Sequence, residues 1–266
     1  MNPFTKHGAI GWPELQSQDA KSAVPFYEKV FGWKTETMPM PTGEYTVCKL
    51  AGSNAGRAGI MQSPHPNMHS YWGFYVTVDD VHATTKRAEE LGAKVFLPPM
   101  HVPTVGTMSG FTDPHGAAIM AITYEPHPDM PEMPDVKWED AARTHGAFSW
   151  FELRVPDPGA ALKFYRDLFG WTTEENMMGI GPYHLISVGG VQIGGAFKPQ
   201  GEMPPHWAGY VTVDDIDKSV ADIAAAGGKV DDAGVIEVAE VGRLAMFQDP
   251  TGAHLAVAQY VSVEAS

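Results

Sequence analysis

The chain repeats itself. Phe26-Tyr27-Glu28-Lys29-Val30-Phe31-Gly32-Trp33 returns 138 residues later as Phe164-Tyr165-Arg166-Asp167-Leu168-Phe169-Gly170-Trp171. Val76-Thr77-Val78-Asp79-Asp80-Val81 returns 135 residues later as Val211-Thr212-Val213-Asp214-Asp215-Ile216, and Asp113-Pro114-His115-Gly116 returns 136 residues later as Asp249-Pro250-Thr251-Gly252. Three landmarks in one order at nearly one offset define a tandem duplication. Both halves must satisfy the same fold, so positions that agree report on architecture. Positions that differ show where the halves have taken separate tasks.

Each half divides again. In the first, Ile10–Leu15 reads as a strand, followed by an amphipathic helix with Asp19 as N-cap and Gly32 as its stop. Val24, Tyr27, Val30 and Phe31 follow helical spacing and are expected to face a sheet. Pro25 predicts a late start or a kink. Short strands follow near Trp33–Thr37, Tyr45–Leu50 and Gly59–Gln62. The pattern then restarts with a strand at Tyr71–Val78, a cap at Asp80 and one helix face made of Val81, Thr84, Thr85, Ala88 and Leu91. Three strands close the half, near Lys94–Leu97, Thr107–Thr112 and Ala117–Thr123. The second half repeats the plan, its first helix capped by Asp157 with Pro158 in the first turn. The expected architecture is α+β: four βαβββ units, a first domain at 7–125, a Pro-rich linker at 126–144 and a second domain at 145–262.

Bulk properties bound the partners. A net charge of −14 provides no basic face for nucleic acid and disfavours anionic membranes. No apolar run is long enough to span a bilayer, and the opening residues do not read as a signal peptide. One cysteine, Cys48, permits no internal disulfide and fits a reducing cytoplasm, the expected location; on a strand it reads as a small core residue. The expected partner is a small molecule, and both monomer and homodimer remain open.

Asp19…Phe26-Tyr27…Phe31-Gly32, the Val78-Asp79-Asp80-Val81 restart and Gly106…Phe111-Thr112-Asp113-Pro114-His115-Gly116, with their second-half counterparts, resemble the vicinal oxygen chelate superfamily. That group includes glyoxalase I, bleomycin-resistance proteins and extradiol dioxygenases, and the chain is most similar to its tandem, two-domain glyoxalase-like members. The resemblance implies that paired βαβββ units curl into an open cup holding the site. It also implies that metal-dependent members place His, Glu or Gln ligands on the first and last strands of the units. Here those positions fall on Trp12, Gly73 and Met120 in the first half and on Trp150, Ala208 and Ala256 in the second. The remaining position, near Ile60–Gln62 and Ala196–Lys198, offers only Gln62. Indole, methyl and hydrogen substituents cannot hold a hard divalent ion, and methionine sulfur is too soft. No cofactor is therefore expected, and a metal-dependent glyoxalase or dioxygenase is the least favoured reading.

Strand alternation then nominates the groups that face the cup. In the first half these are Trp12, Glu14, Gln16, Tyr71, Tyr75 and Met120, with Tyr45 beside them. In the second they are Trp150, Glu152, Arg154, Tyr183, His206, Tyr210 and His254, with Arg243 nearby. Aromatic walls with a few polar groups suit small-molecule binding, here of an aromatic or amphipathic ligand. The repeated Trp-x-Glu-Leu is the sharpest signal. Glu152, with His206 or His254, could run metal-independent proton transfer in a lyase, isomerase or hydrolase; equally, Glu14 and Glu152 could serve as hydrogen-bonded structural acids. Binding and turnover both remain open at this stage. His7 and His145 read as structural lead-ins to their strands, the His65/His69 pair as a loop coincidence, and Trp33 and Trp171 as core. Met38, Met40, Met177 and Met178 read as gap-filling residues or the mouth of a pocket.

Overall fold

The computed structural model describes residues 1–40, 43–125 and 137–261, and through them the chain runs as four modules of one design. The first is β1 (Ile10–Ser17), α1 (Ala20–Phe31), β2 (Lys34–Met40), β3 (Gly43–Lys49) and β4 (Gly56–Gln62). The second is β5 (Tyr71–Thr77), α2 (Val81–Glu90), β6 (Lys94–Val102), β7 (Gly106–Thr112) and β8 (Ala118–Tyr124). The third is β9 (Phe148–Arg154), α3 (Pro158–Phe169), β10 (Thr172–Met178), β11 (Gly181–Val188) and β12 (Val191–Phe197). The fourth is β13 (His206–Thr212) and α4 (Ile216–Ala225), a first return strand split into β14 (Lys229–Val230) and β15 (Ile236–Val238), then β16 (Gly242–Gln248) and β17 (His254–Tyr260). None of the described helices is long and apolar enough to cross a membrane.

Local chemistry sets the helix ends. Asp19, Asp80, Asp157 and Asp215 each accept a backbone N–H from the third residue on, which satisfies a donor the first turn would otherwise strand. Gly32 and Gly170 end their helices at φ 66° and 69°, a conformation an L side chain resists. Pro25 neither delays nor breaks α1, which is assigned continuously from Ala20. The carbonyl it strands belongs to Lys21, an exposed first-turn residue within reach of water. On the core face Phe26 takes the buried place expected of Val24, beside Ala23, Tyr27, Val30 and Phe31.

The strands form two mixed sheets. One has eight strands in the order β2-β3-β4-β1-β5-β8-β7-β6. The other follows β10-β11-β12-β9-β13-β17-β16-β14, with β15 paired to β16 as its ninth strand. Of the stretch expected to be a linker, 126–136 lies outside the described residues. Trp138–Arg143 forms a short 3-10 helix in which Trp138 is buried and stacked on Phe151 at 5.5 Å.

By internal contacts the chain falls into two compact units, and each is built mainly from one module of either half. One unit comprises Met1–Trp12, Gly73–Glu139 and Trp150–Ala208; the other comprises Pro13–Trp72, Asp140–Ser149 and Gly209–Ser266. Within the first, the Tyr165 hydroxyl donates to Asp113 Oδ2 at 2.7 Å and accepts from Trp207 Nε1 at 3.0 Å. Within the second, Tyr27 donates to Asp249 Oδ2 at 2.8 Å and accepts from Trp72 Nε1 at 2.8 Å. The other oxygen of each aspartate closes its Asp-Pro-x-Gly turn by accepting two backbone N–H groups. Burial, and then the adjacent aspartate, hold both tyrosines well above the ordinary phenol range, so they remain donors. The repeated helix motif and the repeated turn motif are thus one device, in which the tyrosine of one half bonds the aspartate of the other. Trp33 and Trp171 extend it, giving their indole N–H groups to the carbonyls of Gly146 and Gly8 at 2.9 and 2.7 Å.

Candidate functional site

Strand register assembles the site in rows. On β10, β11, β12 and β9, Asn176 pairs with Tyr183, Tyr183 with Phe197, and Phe197 with Arg154, so these four side chains share one face. Beside them runs the row Glu174, Leu185, Gly195 and Glu152. Gly195 is the reason Tyr183 can lie across β12. A Cβ at Gly195 would sit 2.3 Å from the Tyr183 ring, closer than any packing allows. The ring thereby stacks on Phe197 at 6.1 Å, and the Arg154 guanidinium carbon lies 5.9 Å from the Phe197 centroid.

The polar ends of these residues meet at Glu152. Tyr183 donates to Glu152 Oε1 at 3.1 Å, and Arg154 Nε donates to Oε2 at 3.0 Å. Trp150 Nε1 in turn donates to the Tyr183 oxygen at 2.8 Å. Glu152 is only 6% exposed, so its charge requires these donors. The second-half candidates Trp150, Glu152, Arg154 and Tyr183 are therefore one hydrogen-bonded assembly within one unit. Phe197, which the strand pattern did not nominate, is its floor; only register identifies it.

The first half builds the equivalent row differently. Met38 pairs with Tyr45, Tyr45 with Met61, and Met61 with Gln16. Tyr45 again bonds the acid, donating to Glu14 Oε2 at 2.9 Å, while Gln16 Nε2 approaches Oε1 at 3.4 Å. Tyr71 stands near enough for burial and the Glu14 charge to push its phenol up to about 12. Trp12 belongs to an apolar group in the other unit, packed against Tyr75, Met120 and Ile122.

The remaining candidates make the following contacts. His206 places Nδ1 2.9 Å from the carbonyl of Pro204 in its own approach loop. His254 belongs to the other unit, at the exposed start of β17 and 3.2 Å from Gln248 Nε2. Tyr210 is buried opposite Ala256, and Arg243 forms a two-pronged exposed pair with Asp217. His7 and His145 accept the backbone N–H of Asp79 and Asp214, each at 3.2 Å, which matches a structural role. Cys48 is buried, and desolvation drives its thiol far upward. Gln62 points away from the Glu14 row and ties down the turn before α1, accepting from Ala20 N–H and donating to the Gln18 carbonyl.

The model of one family, described as the Glyoxalase/Bleomycin resistance protein/Dioxygenase superfamily, matches residues 9–121 and again 147–257. The chain belongs to that superfamily. Among its relatives, CFP32 of Mycobacterium tuberculosis, whose name places it with the glyoxylases, is 32% identical over 257 residues, 95% of each chain. The anthracycline biosynthesis protein DnrV of Streptomyces peucetius is 30% identical over 269 residues, covering 95% of this chain and 93% of its own. Among solved structures, the Mn(II)-bound glyoxalase of Novosphingobium aromaticivorans superposes with a TM-score of 0.64 at 15% identity, over 97% of this chain and 83% of that one. The 2,3-dioxygenase LapB of Pseudomonas sp. KL28 gives 0.63 at 14% identity, over 98% and 96%. At such identities the superpositions establish the superfamily's fold and nothing finer. Among the described residues of this member, no three His, Cys, Asp or Glu side chains converge as a metal site.

Proposed function

We propose that this glyoxalase-like protein binds an aromatic or amphipathic small molecule without the superfamily's metal, on the second-half face built from Trp150, Glu152, Arg154, Tyr183 and Phe197. The observation that carries this reading is the engagement of Glu152. Both of its oxygens accept side-chain hydrogen bonds that brace Tyr183 and Arg154. A carboxylate used in this way orients its neighbours, where a general base would aim a lone pair at substrate. This favours binding over the proton-transfer reading with His206 or His254.

The donor set supports metal independence. The strand positions that the resemblance assigns to ligands carry Trp12, Gly73, Met120, Trp150, Ala208 and Ala256. An indole N–H donates only, and the others lack oxygen or imidazole. The relationship to an anthracycline biosynthesis protein fits an aromatic ligand. Two measurements test the reading. Elemental analysis of untagged protein purified without chelator should find less than a stoichiometric transition metal, with no rise in Tm on adding Ni, Zn, Fe or Mn. Titration with a panel of planar aromatics should quench tryptophan fluorescence. A stoichiometric metal, or a panel without response, would sink it.

A further inference from the structure

The third module leaves open a place that the first module straps shut. Gln16 pairs with Met61 and Arg154 with Phe197, so Gln18 corresponds to Pro156, Gln62 to Lys198 and Ser63 to Pro199. In the first module four hydrogen bonds tie the loop after β4 to the turn before α1. Gln18 donates its N–H to Ser70 Oγ at 2.9 Å and its Nε2 to the His65 carbonyl at 2.9 Å. Gln62 Nε2 donates to the Gln18 carbonyl at 2.8 Å, and Ser63 N–H to the Ser17 carbonyl at 2.7 Å. Proline has no N–H, so Pro156 and Pro199 cannot repeat the backbone bonds of Gln18 and Ser63. The loop after β12 instead borders a surface cavity of about 260 Å³, lined by Pro156, Lys198, Pro199, Gly201, Glu202 and Met203. All six residues belong to one unit.

The lining has a definite chemistry. Two proline rings and the exposed thioether of Met203 present an apolar surface that suits the flat face of an aromatic ring. Lys198 and Glu202 add one cation and one anion, both exposed. Among the described residues neither side chain is engaged by a hydrogen bond or an ion pair, with the other or with any third group. We propose that this cavity is a second ligand site, which takes a small aromatic zwitterion of the amino-acid type. The ring lies on Pro156, Pro199 and Met203, the carboxylate meets Lys198 and the ammonium meets Glu202. A volume just below the usual range of small-molecule pockets fits one fused bicyclic ring. The site shares no residue with the face proposed above and does not depend on it.

The test titrates the full chain at neutral pH with tryptophan, tryptamine and indole-3-propionate, followed by two-dimensional amide NMR. The three probes share an indole ring and differ in which charges they carry. Tryptophan should shift the amide signals of Lys198, Gly201, Glu202 and Met203, and bind about fivefold more tightly than either of the others. That is the upper end for one exposed ion pair. Lys198→Met should erase the advantage over tryptamine and keep the advantage over indole-3-propionate; Glu202→Gln should do the reverse. Equal affinity of the three probes, or advantages that survive in both variants, overturns the charge assignment and with it the proposal. The double variant Pro156→Gln with Pro199→Ser restores the residues that strap the first-module loop and should abolish binding; undiminished binding overturns the role of the cavity. Shifts confined to Tyr183 and Phe197 overturn this site while leaving the binding function proposed above intact, and the absence of any shift overturns it as well.

Discussion

Glu14 and Glu152 occupy matching positions on matching strands, and each takes a hydrogen bond from a tyrosine one strand beyond its parallel neighbour. Around that shared pair the halves diverge. The first surrounds it with Gln16, Met61 and Met38; the second uses Arg154, Phe197 and Asn176. Methionines adapt and amides are neutral, so the first row is tolerant; a guanidinium on a ring, tied to a carboxylate, permits one arrangement. Duplication preserved the frame twice and allowed the furniture to change once. The stiffer row is the better candidate for selective recognition, since groups held by their neighbours lose less freedom on binding.

The comparison breaks most sharply at the ion pair. Arg154→Met should destabilise the fold by about 3 kcal/mol, because it leaves Glu152 buried without its cation. Gln16→Met, facing a similarly buried acid but removing only a long 3.4 Å contact, should cost about 1 kcal/mol or less. Urea denaturation of both variants measures the gap, and equal costs would show that the two rows are energetically alike. Next in size is Gly195→Ala. Its new methyl would collide with the Tyr183 ring, forcing the ring away from Glu152 at a cost of about 1–3 kcal/mol. A wild-type melting temperature together with unchanged near-ultraviolet dichroism would mean that the ring does not depend on this glycine.

Where the halves agree, equal effects are expected. Tyr27→Phe and Tyr165→Phe each remove a hydroxyl that joins a buried aspartate to a buried indole. Each should cost about 1–2 kcal/mol, and the two values should match to within about 0.5 kcal/mol. A large inequality would show that one unit relies on its triad more than the other.

The repeat made the frame readable. Strand–helix–three-strand order, the aspartate caps and the Gly32 and Gly170 stops all follow from local chemistry, which sequence expresses directly. The purpose of the repeated tyrosine and of Asp-Pro-x-Gly was hidden, because their bond spans 52 residues in one unit and 222 in the other. Trp-x-Glu-Leu and Arg154 were visible as candidates, since alternation places them on one face. Phe197 and Gly195 were not, because their importance lies in which residue of another strand they oppose. A one-residue bulge in β12, between its partners Gln192 and Gly194, decides that register.

The finest distinction lies at the strand start where Tyr71 in β5 corresponds to His206 in β13. Burial first, and the Glu14 carboxylate second, raise the Tyr71 phenol from 10.0 to about 12. A folded-state pKa above the unfolded one means that the native state keeps the proton longer. The associated stability is therefore complete below about pH 10 and disappears as pH climbs from 10 toward 12. Glu14→Gln removes the repelling charge but not the burial, so the Tyr71 transition should move down yet stay above 10. Phenolate absorbance, compared between wild type and the Tyr71→Phe and Glu14→Gln variants, isolates this component. Tyr27 and Tyr165, fully buried and also raised, should ionise only as the chain unfolds. The matching substitution in the second half, Glu152→Gln, should leave the Tyr71 component unmoved, because the charge it senses is Glu14. A shift there would mean that the two acids act on one common environment, and the separation of the rows would have to be abandoned.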